Sequence, residues 1–419
     1  MYKYAMTIAV VGAGAAGLMA CATILEEHPT CSIYLIEKNP EIGKKVLISG
    51  GGRCNVTTGL FDVHDVLSRY PRGSAFLTKA MYHFPPANVM AWFEDHGVPL
   101  KIEDDLRVFP VSDNGRDVIG VFDRLFEAHH ERIHLLLNTQ VKRITRTDGS
   151  FTLETSRQTV TADRIILTTG GQAYRHTGST GDGYTFAESL GHTITPLAAS
   201  LSALHTLEAW PKTLAGVSFP RVHISTSTET VSAEWSGPLL FTHHGVTGPA
   251  VFAFSALIAF EPVSKEHPLA VSLDFFDDQH QDALYADVHA AIRSNEARQI
   301  VTALTEFFPK SMALVICAEN NLPPDMRCHD VRDAEIHTLA HWMKHAPVHV
   351  SARSAGDEFV TAGGVDTQDV DPRTMESRRV PGLFFAGELL NIDGFTGGFN
   401  LQASWATGRL AGLHALSDS

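Results

Sequence analysis

The chain has 419 residues, of which 44% are hydrophobic and 19% are charged, a composition typical of a globular protein with a large core and two or three domains. Its formal net charge of −14 argues against broad, sequence-independent binding of nucleic acid, which needs many Lys and Arg contacts to phosphate. The five cysteines form no CxxC pair, which argues against a disulfide framework and favours a reducing, cytoplasmic location.

The apolar run near the start of the chain predicts a βαβ unit rather than a signal peptide or a membrane span. The run extends from Ile8 to Leu25, but glycines interrupt it. It divides into a buried strand over Thr7 to Gly12 and a helix over Ala15 to Glu26, and a second strand follows over Ser32 to Glu37. We therefore expect no targeting segment and no membrane-spanning helix.

The turn between the first strand and the helix carries the pattern Gly-x-Gly-x-x-Gly at Gly12, Gly14 and Gly17. The first glycine permits a tight turn, the second lets the backbone approach a pyrophosphate, and the third lets helix and strand pack closely. The positive end of the helix then faces the phosphates. Glu37 lies twenty residues after Gly17, where a carboxylate can accept hydrogen bonds from ribose hydroxyls. Together these features predict a dinucleotide site.

Helices and strands continue this domain as far as residue 193. Three helices are predicted, over Ser74 to Tyr82, Ala87 to His96 and Arg116 to His130. Two strands, over Gln140 to Thr145 and Ser150 to Glu154, flank Asp148-Gly149, a pair typical of a hairpin turn. A buried strand over Arg164 to Thr168 then ends in the turn Thr169 to Gly171.

The pattern of strands and glycine-rich turns stops at about Ile194 and returns at Val350. Strands and helices are mixed between these points, over Arg221 to Ser227, Leu269 to Phe275, Asp282 to Ala297 and Arg332 to Lys344. We therefore predict an inserted domain over residues 194–349. Residues 1–193 and 350–419 then form one nucleotide-binding domain in two parts.

A second glycine-rich loop, Ser49 to Asn55, favours FAD over NAD as the nucleotide. Its three successive glycines let the backbone lie against a flat ring system. Lys45 and Arg53 place positive charge near phosphate or reduced flavin. The alternative interpretation is an ordinary flexible loop with solvated cations.

A third glycine-rich element lies near the end of the chain. Gly387 and Glu388 follow a buried strand over Leu383 to Ala386, and the turn Gly394 to Asn400 leads into a helix that extends to about Leu413. The positive end of this helix is expected to face the flavin pyrimidine. Glu388 is the natural acceptor for a ribityl hydroxyl.

Four segments resemble the signatures of a known family: Gly43 to Asn55, Thr168 to Gly183, Phe241 to Pro249 and Gly387 to Gln402. Over nearly its whole length the chain is similar to the BaiN/RdsA-type (YhiN-like) NAD(P)/FAD-dependent oxidoreductases. The resemblance implies an α/β fold with a Rossmann-like FAD-binding domain of the two-dinucleotide-binding-domain flavoprotein type. It also implies that the insert is a mixed β-barrel-like and helical domain that closes over the flavin. Members of this family are assigned to reduction of a uracil base in ribosomal RNA and to bile-acid dehydroxylation.

The glycine-rich elements and the resemblance together predict a set of cofactor-binding residues and a smaller catalytic set. The predicted FAD-binding residues are Gly12, Gly14, Ala15, Ala16, Gly17, Glu37, Lys38, Lys45, Ser49, Gly50, Gly51, Gly52, Arg53, Asn55, Val141, Thr169, Gly170, Gly171, Gly387, Glu388, Gly398, Phe399, Asn400, Leu401 and Gln402. The catalytic candidates are Cys54, His243 and Arg53.

The catalytic candidates Cys54 and His243 each have a structural alternative. Cys54 acts as a proton donor or redox thiol, or it is a small packing residue, and the absence of a partner cysteine nearby in sequence favours packing. His243 and His244 either face the flavin or shape the turn that contains them.

Other polar residues are weighed in the same way. His337, His341 and His345 recur on one helical face, but no carboxylate or cysteine cluster accompanies them, so we predict no metal site. Three arginines either bind an anionic substrate or are ordinary surface charges: Arg107, Arg116 and Arg175.

These features favour an FAD-dependent oxidoreductase that passes hydride from NAD(P)H through flavin N5 to a small conjugated acceptor. The sequence holds one strand–turn–helix unit of the Gly-x-Gly-x-x-Gly type, so NAD(P)H is expected to be a transient reductant. One alternative is a flavin-dependent enzyme that reduces a uracil base in ribosomal RNA. Another is an FAD-binding sensor without turnover. We expect no obligate protein partner and no membrane association.

Overall fold

A computed structural model describes residues 6–28, 30–354 and 358–416. The described residues divide into two compact units, one within residues 1–200 and 356–419 and the other within residues 201–355. The division falls after Ser200 rather than at Ile194, because Ile194 bridges to Val365 and residues 198–200 pair with residues 360–362 of the first unit. It falls after Val350 at the other end, because the strand that contains Val350 belongs to the barrel of the second unit.

The elements are numbered in chain order. The strands are β1 (Met6–Val11), β2 (Cys31–Ile36), β3 (Thr57–Thr58), β4 (Leu100–Ile102), β5 (Arg107–Pro110), β6 (Ile133–Leu136), β7 (Val141–Thr147), β8 (Ser150–Thr155), β9 (Thr159–Ala162), β10 (Arg164–Leu167), β11 (Ala198–Ser200), β12 (Leu204–Thr206), β13 (Ser218–Ser227), β14 (Ser232–Phe241), β15 (Gly245–Thr247), β16 (Leu269–Asp274), β17 (Ala346–Arg353), β18 (Val360–Ala362) and β19 (Leu383–Phe385). The α-helices are α1 (Ala15–Glu27), α2 (Lys44–Ile48), α3 (Val63–Leu67), α4 (Ser74–His83), α5 (Pro86–Asp95), α6 (Gly115–Ala128), α7 (Asp182–Ser189), α8 (Trp210–Thr213), α9 (Pro249–Leu257), α10 (Gln281–Ser294), α11 (Ile300–Leu304), α12 (Lys310–Glu319), α13 (Asp333–Lys344) and α14 (Phe399–His414).

The first unit is built on a five-stranded sheet with the order β19-β10-β1-β2-β6. All neighbouring strands are parallel. The chain adds β2 and β6 on one side of β1, and later adds β10 and β19 on the other side. The strand order therefore reverses at β1, and in open parallel sheets ligands bind outside the carboxyl ends of the strands at such a point. The Rossmann-like prediction is confirmed.

Two helices from distant parts of the sequence, α1 and α14, pack together in the first unit. A Cβ atom on Gly408 would lie 2.3 Å from the carbonyl oxygen of Ala16, and one on Gly412 would lie 2.7 Å from that of Ala20. The two backbones therefore approach more closely than any larger residue would allow. α1 begins at the glycine-rich turn, so this packing places α14 beside the nucleotide-binding turn.

Three smaller antiparallel sheets complete the described part of the first unit: β11-β18, β7-β8-β9 and β3-β5-β4. The sheet β7-β8-β9 contains the predicted hairpin, whose turn residues Asp148 and Gly149 have φ values of 52° and 85°. Positive φ at both positions is the requirement of the turn that this residue pair favours. The sheet β3-β5-β4 was not predicted, because its strands have two to four residues and no hydrophobic alternation.

The second unit contains a closed barrel with the order β12-β15-β14-β13-β16-β17, which confirms the barrel-like prediction. Helices α10 to α13 form its helical part. The helix predicted to end at Ala297 ends at Ser294, because the Asn295 side chain donates a 2.8 Å hydrogen bond back to the carbonyl of Ala291. Trp210, Phe241 and Trp342 lie in the core of this unit.

Among the residues that the structure describes, no helix combines the length and the apolar composition needed to cross a bilayer.

Candidate cofactor site

The three glycines of the first turn lack a side chain for different structural reasons. Gly12 has a φ of +105°, and a Cβ atom there would lie 2.6 Å from the carbonyl oxygen of Thr168. A Cβ atom on Gly17 would lie 2.0 Å from the carbonyl oxygen of Gly12. Gly14 has an ordinary φ of −81°, and its Cβ position has no described atom within 4 Å beyond its chain neighbours. Gly12 and Gly17 are thus required by the protein itself, whereas Gly14 leaves open the space that a bound pyrophosphate would occupy.

Helix α1 begins at this turn without any side chain to cap it. Gly14 is the N-cap residue, and the first turn contains no acidic residue. The first amide groups of a helix lack partners within the helix, and together with the helix dipole they favour an anion. The turn and the helix therefore fit a dinucleotide phosphate.

Glu37 lies at the carboxyl end of β2 with 9% of its surface exposed. One carboxylate oxygen accepts a 2.8 Å hydrogen bond from the Ala13 amide. The other oxygen accepts bonds of 2.8 and 2.7 Å from the backbone and side chain of Asn39. These bonds fix the carboxylate beside the glycine turn, and the oxygen that accepts the Ala13 bond still has a lone pair for a ribose hydroxyl. The position fits the predicted role.

Lys38 does not have a free charge for phosphate. Its Nζ atom lies 2.8 Å from the Asp182 carboxylate and 2.5 Å from the Thr180 hydroxyl. Lys38 therefore connects the end of β2 to the loop before α7. Val141 is buried at the start of β7, so only its backbone remains for a contact with the cofactor.

The loop from Ser49 to Gly52 presents its backbone to solvent. Gly50, Gly51 and Gly52 have φ values of 58°, 71° and 92°, a conformation that other residues rarely adopt. No described atom lies within 4 Å of the Cβ positions of Gly51 and Gly52, apart from their chain neighbours. An exposed, side-chain-free surface of this kind fits a flat ring system.

Lys45 and Glu388 are predicted site residues that the structure brings together. The Lys45 Nζ atom lies 2.6 Å from one oxygen of Glu388, and the other oxygen accepts a 2.9 Å bond from the Thr361 amide. A Cβ atom on Gly171 would lie 3.1 Å from the same carboxylate. Glu388 thus lies at the carboxyl ends of β10 and β19, where a ribityl chain would pass.

The structure does not support Arg53 as a catalytic or cofactor-binding cation. Its guanidinium lies 2.6 Å from Glu103 and 3.4 Å from Asp113, and it stacks 3.8 Å above the ring of Phe109. Two carboxylates offset its charge, and its contacts hold the glycine loop against the β4–β5 hairpin. The physical role of Arg53 is therefore to fix the loop.

Cys54 does not fit the predicted role of a proton donor to substrate. Its side chain is fully buried, and its amide donates a 3.0 Å bond to the Ser49 carbonyl. Burial raises the pKa of the thiol to about 12, although a hydrogen bond with Ser49 opposes the shift. A thiol with no exposed surface cannot touch a substrate, so the packing alternative is favoured.

The turn before α14 is closely held by the protein. Gly398 has a φ of +91°, and a Cβ atom there would lie 2.2 Å from the Thr57 carbonyl oxygen. The Asn400 side chain accepts a 2.8 Å bond from the Gly394 amide and donates a 2.7 Å bond to the Gly394 carbonyl. The first turn of α14 contains no acidic residue. This helix end therefore fits the partly negative pyrimidine edge of a flavin.

The Gln402 side chain is not available to the cofactor, so only the backbone of this residue remains for the predicted contact. It is fully buried, it accepts a 2.6 Å bond from the Thr57 hydroxyl, and it donates a 2.8 Å bond to the Phe84 carbonyl. Both ends of the amide are occupied by the protein. Through these two bonds the Gln402 side chain holds α14 in place.

His243 belongs to the second unit, in the turn between β14 and β15. His243 and His244 are both exposed, and the ring of His244 stacks 5.2 Å from that of His205.

His337, one of the three histidines spaced along α13, stacks 3.6 Å from the ring of Tyr285.

The three arginines with an alternative anion-binding role differ in their contacts. Arg107 pairs with Asp105 and Glu103, and Arg175 donates a 2.6 Å bond to Gln172. Arg116 is exposed at the start of α6.

Sequence reasoning missed several residues that shape the site. Thr361 holds Glu388 through its amide and accepts hydrogen bonds from Gln172 and Ala173 through its hydroxyl. Its position before a Gly-Gly pair was the available signal. Asn39 had a weaker signal, as the second residue after Glu37.

The chain is similar to known proteins both in sequence and in fold. Residues 6–414 match a family model described as the HI0933-like protein Rossmann domain. The chain is 28% identical to a 3-dehydro-bile acid delta(4,6)-reductase of Clostridium scindens, over 97% of this chain and 98% of the relative. It is 30% identical to a ribosomal RNA dihydrouridine synthase of Escherichia coli, over 95% of each chain. A solved structure of a quinol-fumarate reductase shares the fold, with a TM-score of 0.51, 17% identity, and coverage of 98% of this chain and 70% of the other.

Proposed function

The chain belongs to the HI0933-like family of Rossmann-domain proteins, and from this premise we propose that it reduces a carbon–carbon double bond conjugated to a carbonyl group. The proposed acceptor is a small organic molecule, and the proposed electron donor is NAD(P)H. The protein is an FAD-dependent oxidoreductase, which removes the alternative of a sensor without turnover. The proposal therefore concerns the electron acceptor and the electron donor.

One observation carries the proposal for the acceptor. The relative that matches 97% of this chain is named as a delta(4,6)-reductase of a 3-dehydro-bile acid. The E. coli relative is named for dihydrouridine, a uracil nucleoside with one saturated carbon–carbon bond. Both names describe saturation of a double bond conjugated to a carbonyl. This shared chemistry, rather than either individual substrate, supports the proposed reaction class.

The residues of the first unit are arranged to hold the cofactor for such a reaction. When bound, FAD supplies hydride transfer at its N5 atom. The glycine turn and Glu37 would hold the adenosine and pyrophosphate, and the exposed backbone of Gly50 to Gly52 would lie against the ring. The first turn of α14 would stabilise negative charge on the pyrimidine edge.

The reaction also needs a proton donor. Saturation of the double bond adds one hydride, which comes from NAD(P)H, and one proton. Cys54 is fully buried, so we retain His243, an exposed imidazole of the second unit, as the proposed donor. An imidazole can carry and donate a proton and is therefore suited to this step.

A second candidate acceptor is a uracil base in RNA. The 30% identity with the ribosomal RNA dihydrouridine synthase over 95% of each chain favours it. The formal net charge of −14 counts against it, because RNA binding relies on cationic contacts to phosphate. A direct comparison of the two acceptors is therefore needed.

Anaerobic stopped-flow measurements distinguish these acceptors. The holoprotein is reduced with NADPH and mixed with a 3-oxo-4,6-diene steroid acid, with a uridine-containing ribosomal RNA transcript, or with buffer. We expect flavin reoxidation to be faster with the steroid than with RNA or buffer. Reoxidation by the transcript alone would favour the RNA function. Reoxidation by neither acceptor above the buffer rate would contradict the proposed reaction class.

A further inference from the structure

Arg72 and Asp393 form a buried ion pair in the first unit, beside the turn that leads into α14. The Asp393 side chain has no exposed surface, and the Arg72 side chain is 16% exposed. The guanidinium donates one hydrogen bond to each carboxylate oxygen, from Nε and from Nη2. The Ser200 hydroxyl donates a third bond, of 2.7 Å, to the same carboxylate. The contact is charge-assisted at two points, and removal of either partner would leave an uncompensated charge in the interior.

The segment that contains Arg72 lies directly against the turn before α14. The Phe395 amide donates a 2.9 Å hydrogen bond to the Arg69 carbonyl. The Tyr70 hydroxyl donates a 2.6 Å bond to the carbonyl of Phe399, the first residue of α14. Residues 69–73 therefore hold this turn at both ends, and the ion pair joins the same two segments between these bonds.

Asp393 also lies within electrostatic reach of the candidate cofactor site. Burial raises the pKa of the Asp393 carboxyl, Arg72 and Ser200 oppose the shift, and the charge of Glu388 adds to it. Glu388 is itself paired with Lys45. Each of these two carboxylates therefore has one cation that offsets its charge.

The charge of this turn affects what the first turn of α14 can do. That helix end is partly positive, and its first turn contains no acidic residue. An uncompensated carboxylate at position 393, five residues before the N-cap Gly398, would oppose this partial charge. Charges interact more strongly in the protein interior than in water, so the opposition would be substantial.

We propose that Arg72 and Asp393 are a positioning pair, which holds the turn before α14 and keeps it electrically neutral where it is expected to face the flavin pyrimidine. Reduction places negative charge on that edge of the flavin, so the pair acts on the reduction potential through the turn rather than by touching the cofactor. The inference rests on the FAD site and does not depend on the identity of the acceptor. Neither residue was predicted from the sequence.

The two halves of the pair should have opposite effects on the midpoint potential of the bound flavin. Asp393→Asn leaves the Arg72 cation without its carboxylate, so the potential should become more positive. Arg72→Gln leaves the carboxylate without its cation, so the potential should become more negative. This second shift should be larger at about pH 9 than at about pH 6, because a buried carboxyl that has lost its cation takes up a proton as the pH falls. The double variant removes both charges and should return close to the wild-type potential.

Equilibration of the holoprotein with redox dyes under anaerobic conditions measures these potentials. Thermal unfolding of the FAD-free chains is measured in parallel, and each single variant should unfold at a lower temperature than the double variant. Ser200→Ala is the matched control, because it removes a bond to the same carboxylate without a change of charge and should keep the wild-type potential. Arg72→Lys retains the cation and should do the same. It also provides the comparison with Asp393→Asn if Arg72→Gln does not retain FAD.

Two outcomes would overturn the positioning pair. One is a shift of the potential in the same direction in Asp393→Asn and Arg72→Gln, as a purely structural role would give. The other is a wild-type potential in Asp393→Asn. Failure of the wild-type chain to bind FAD would instead contradict the FAD assignment. Failure of its reduced flavin to react with the steroid would contradict the proposed acceptor and would leave the potentials measurable.

Discussion

Gly14 leaves open a space for a ligand, whereas a side chain on Gly12 or Gly17 would collide with the backbone of the protein. Two substitutions can distinguish these two requirements. Gly14→Val should abolish stoichiometric FAD binding, because the new side chain would occupy the open space where a pyrophosphate meets the backbone. The FAD-free variant should unfold close to the wild-type temperature, since φ is ordinary and no described atom is near. Flavin absorbance after purification and thermal unfolding measure the two effects.

The contrast for this prediction is Gly17→Ala. A Cβ atom there would lie 2.0 Å from a backbone oxygen, so this smaller substitution should destabilise the chain itself. Retention of FAD by the Gly14 variant would show that the turn does not face the pyrophosphate.

Glu37 offers a graded test of the ribose contact. Glu37→Gln should weaken FAD binding by about 1–3 kcal/mol, because a charge-assisted hydrogen bond to ribose becomes a neutral one. The amide retains one oxygen for the bond that Glu37 accepts from Ala13, but its NH2 group then faces the two Asn39 donors, so thermal unfolding of the FAD-free variant is needed to separate a lost ribose bond from a weakened turn. FAD titration of the variant measures the change, and an unchanged affinity would place the ribose elsewhere.

The Cys54 thiol should be unreactive towards alkylating reagents. Burial raises the pKa of its thiol to about 12, and a thiol is nucleophilic only as the thiolate, so alkylation should be slow between pH 7 and about 9. We expect mass spectrometry of the iodoacetamide-treated holoprotein to find Cys54 unmodified. We also expect Cys54→Ala to keep its bound flavin and to react with NAD(P)H at a rate close to that of the wild type. Rapid labelling of Cys54, or loss of flavin reduction in the alanine variant, would restore it as a functional group.

At the scale of elements, the glycine loop and the β4–β5 hairpin are joined by an ion pair, so a change in either partner should have the same effect on turnover. Arg53 joins them through Glu103, so Arg53→Gln and Glu103→Gln should alter turnover by the same factor, within about two- to threefold. Each should change the free energy of unfolding only slightly, because the pair is partly exposed to solvent. Steady-state kinetics and urea unfolding of both variants provide the comparison. If Arg53 instead contacted cofactor or substrate, its variant alone would lose activity.

Elements defined by neighbouring residues were the most predictable from sequence. The β1–α1–β2 unit follows from its apolar runs and glycine spacing, and the β7–β8 hairpin follows from Asp148 and Gly149. The short strands β3, β4 and β5 show no periodicity, and β3 forms only by pairing with β5, which is distant from it in the sequence.

The same distinction holds for the site. Glu37 was assigned a position by local spacing, and the structure places it there. The contact of Lys45 with Glu388 joins residues that are 343 positions apart, and no local pattern encodes it. The burial of the Cys54 and Gln402 side chains is likewise a property of the packed core, and no local sequence pattern indicates it.

At the scale of the whole molecule, NAD(P)H should reduce the flavin without forming a tight complex. The described residues contain one parallel sheet with a Gly-x-Gly-x-x-Gly turn, and FAD is expected to occupy it. We therefore expect the rate of flavin reduction to rise with NAD(P)H concentration and to saturate only weakly. Stopped-flow reduction and calorimetric titration with NADP⁺ measure this. A stoichiometric complex of high affinity would require a separate nicotinamide site.

The packing of α14 against α1 has a consequence for how the protein is made in the cell. α1 leaves the ribosome long before α14, which emerges only after the whole second unit has been synthesised. Until then the face of α1 around Ala16 and Ala20 has no partner, and the turn that would hold the flavin pyrimidine does not yet exist. A nascent chain therefore cannot capture its cofactor early, and a chain that stalls before Gly398 should remain colourless. The yellow colour of bound flavin would then report that synthesis had passed the last turn of the site.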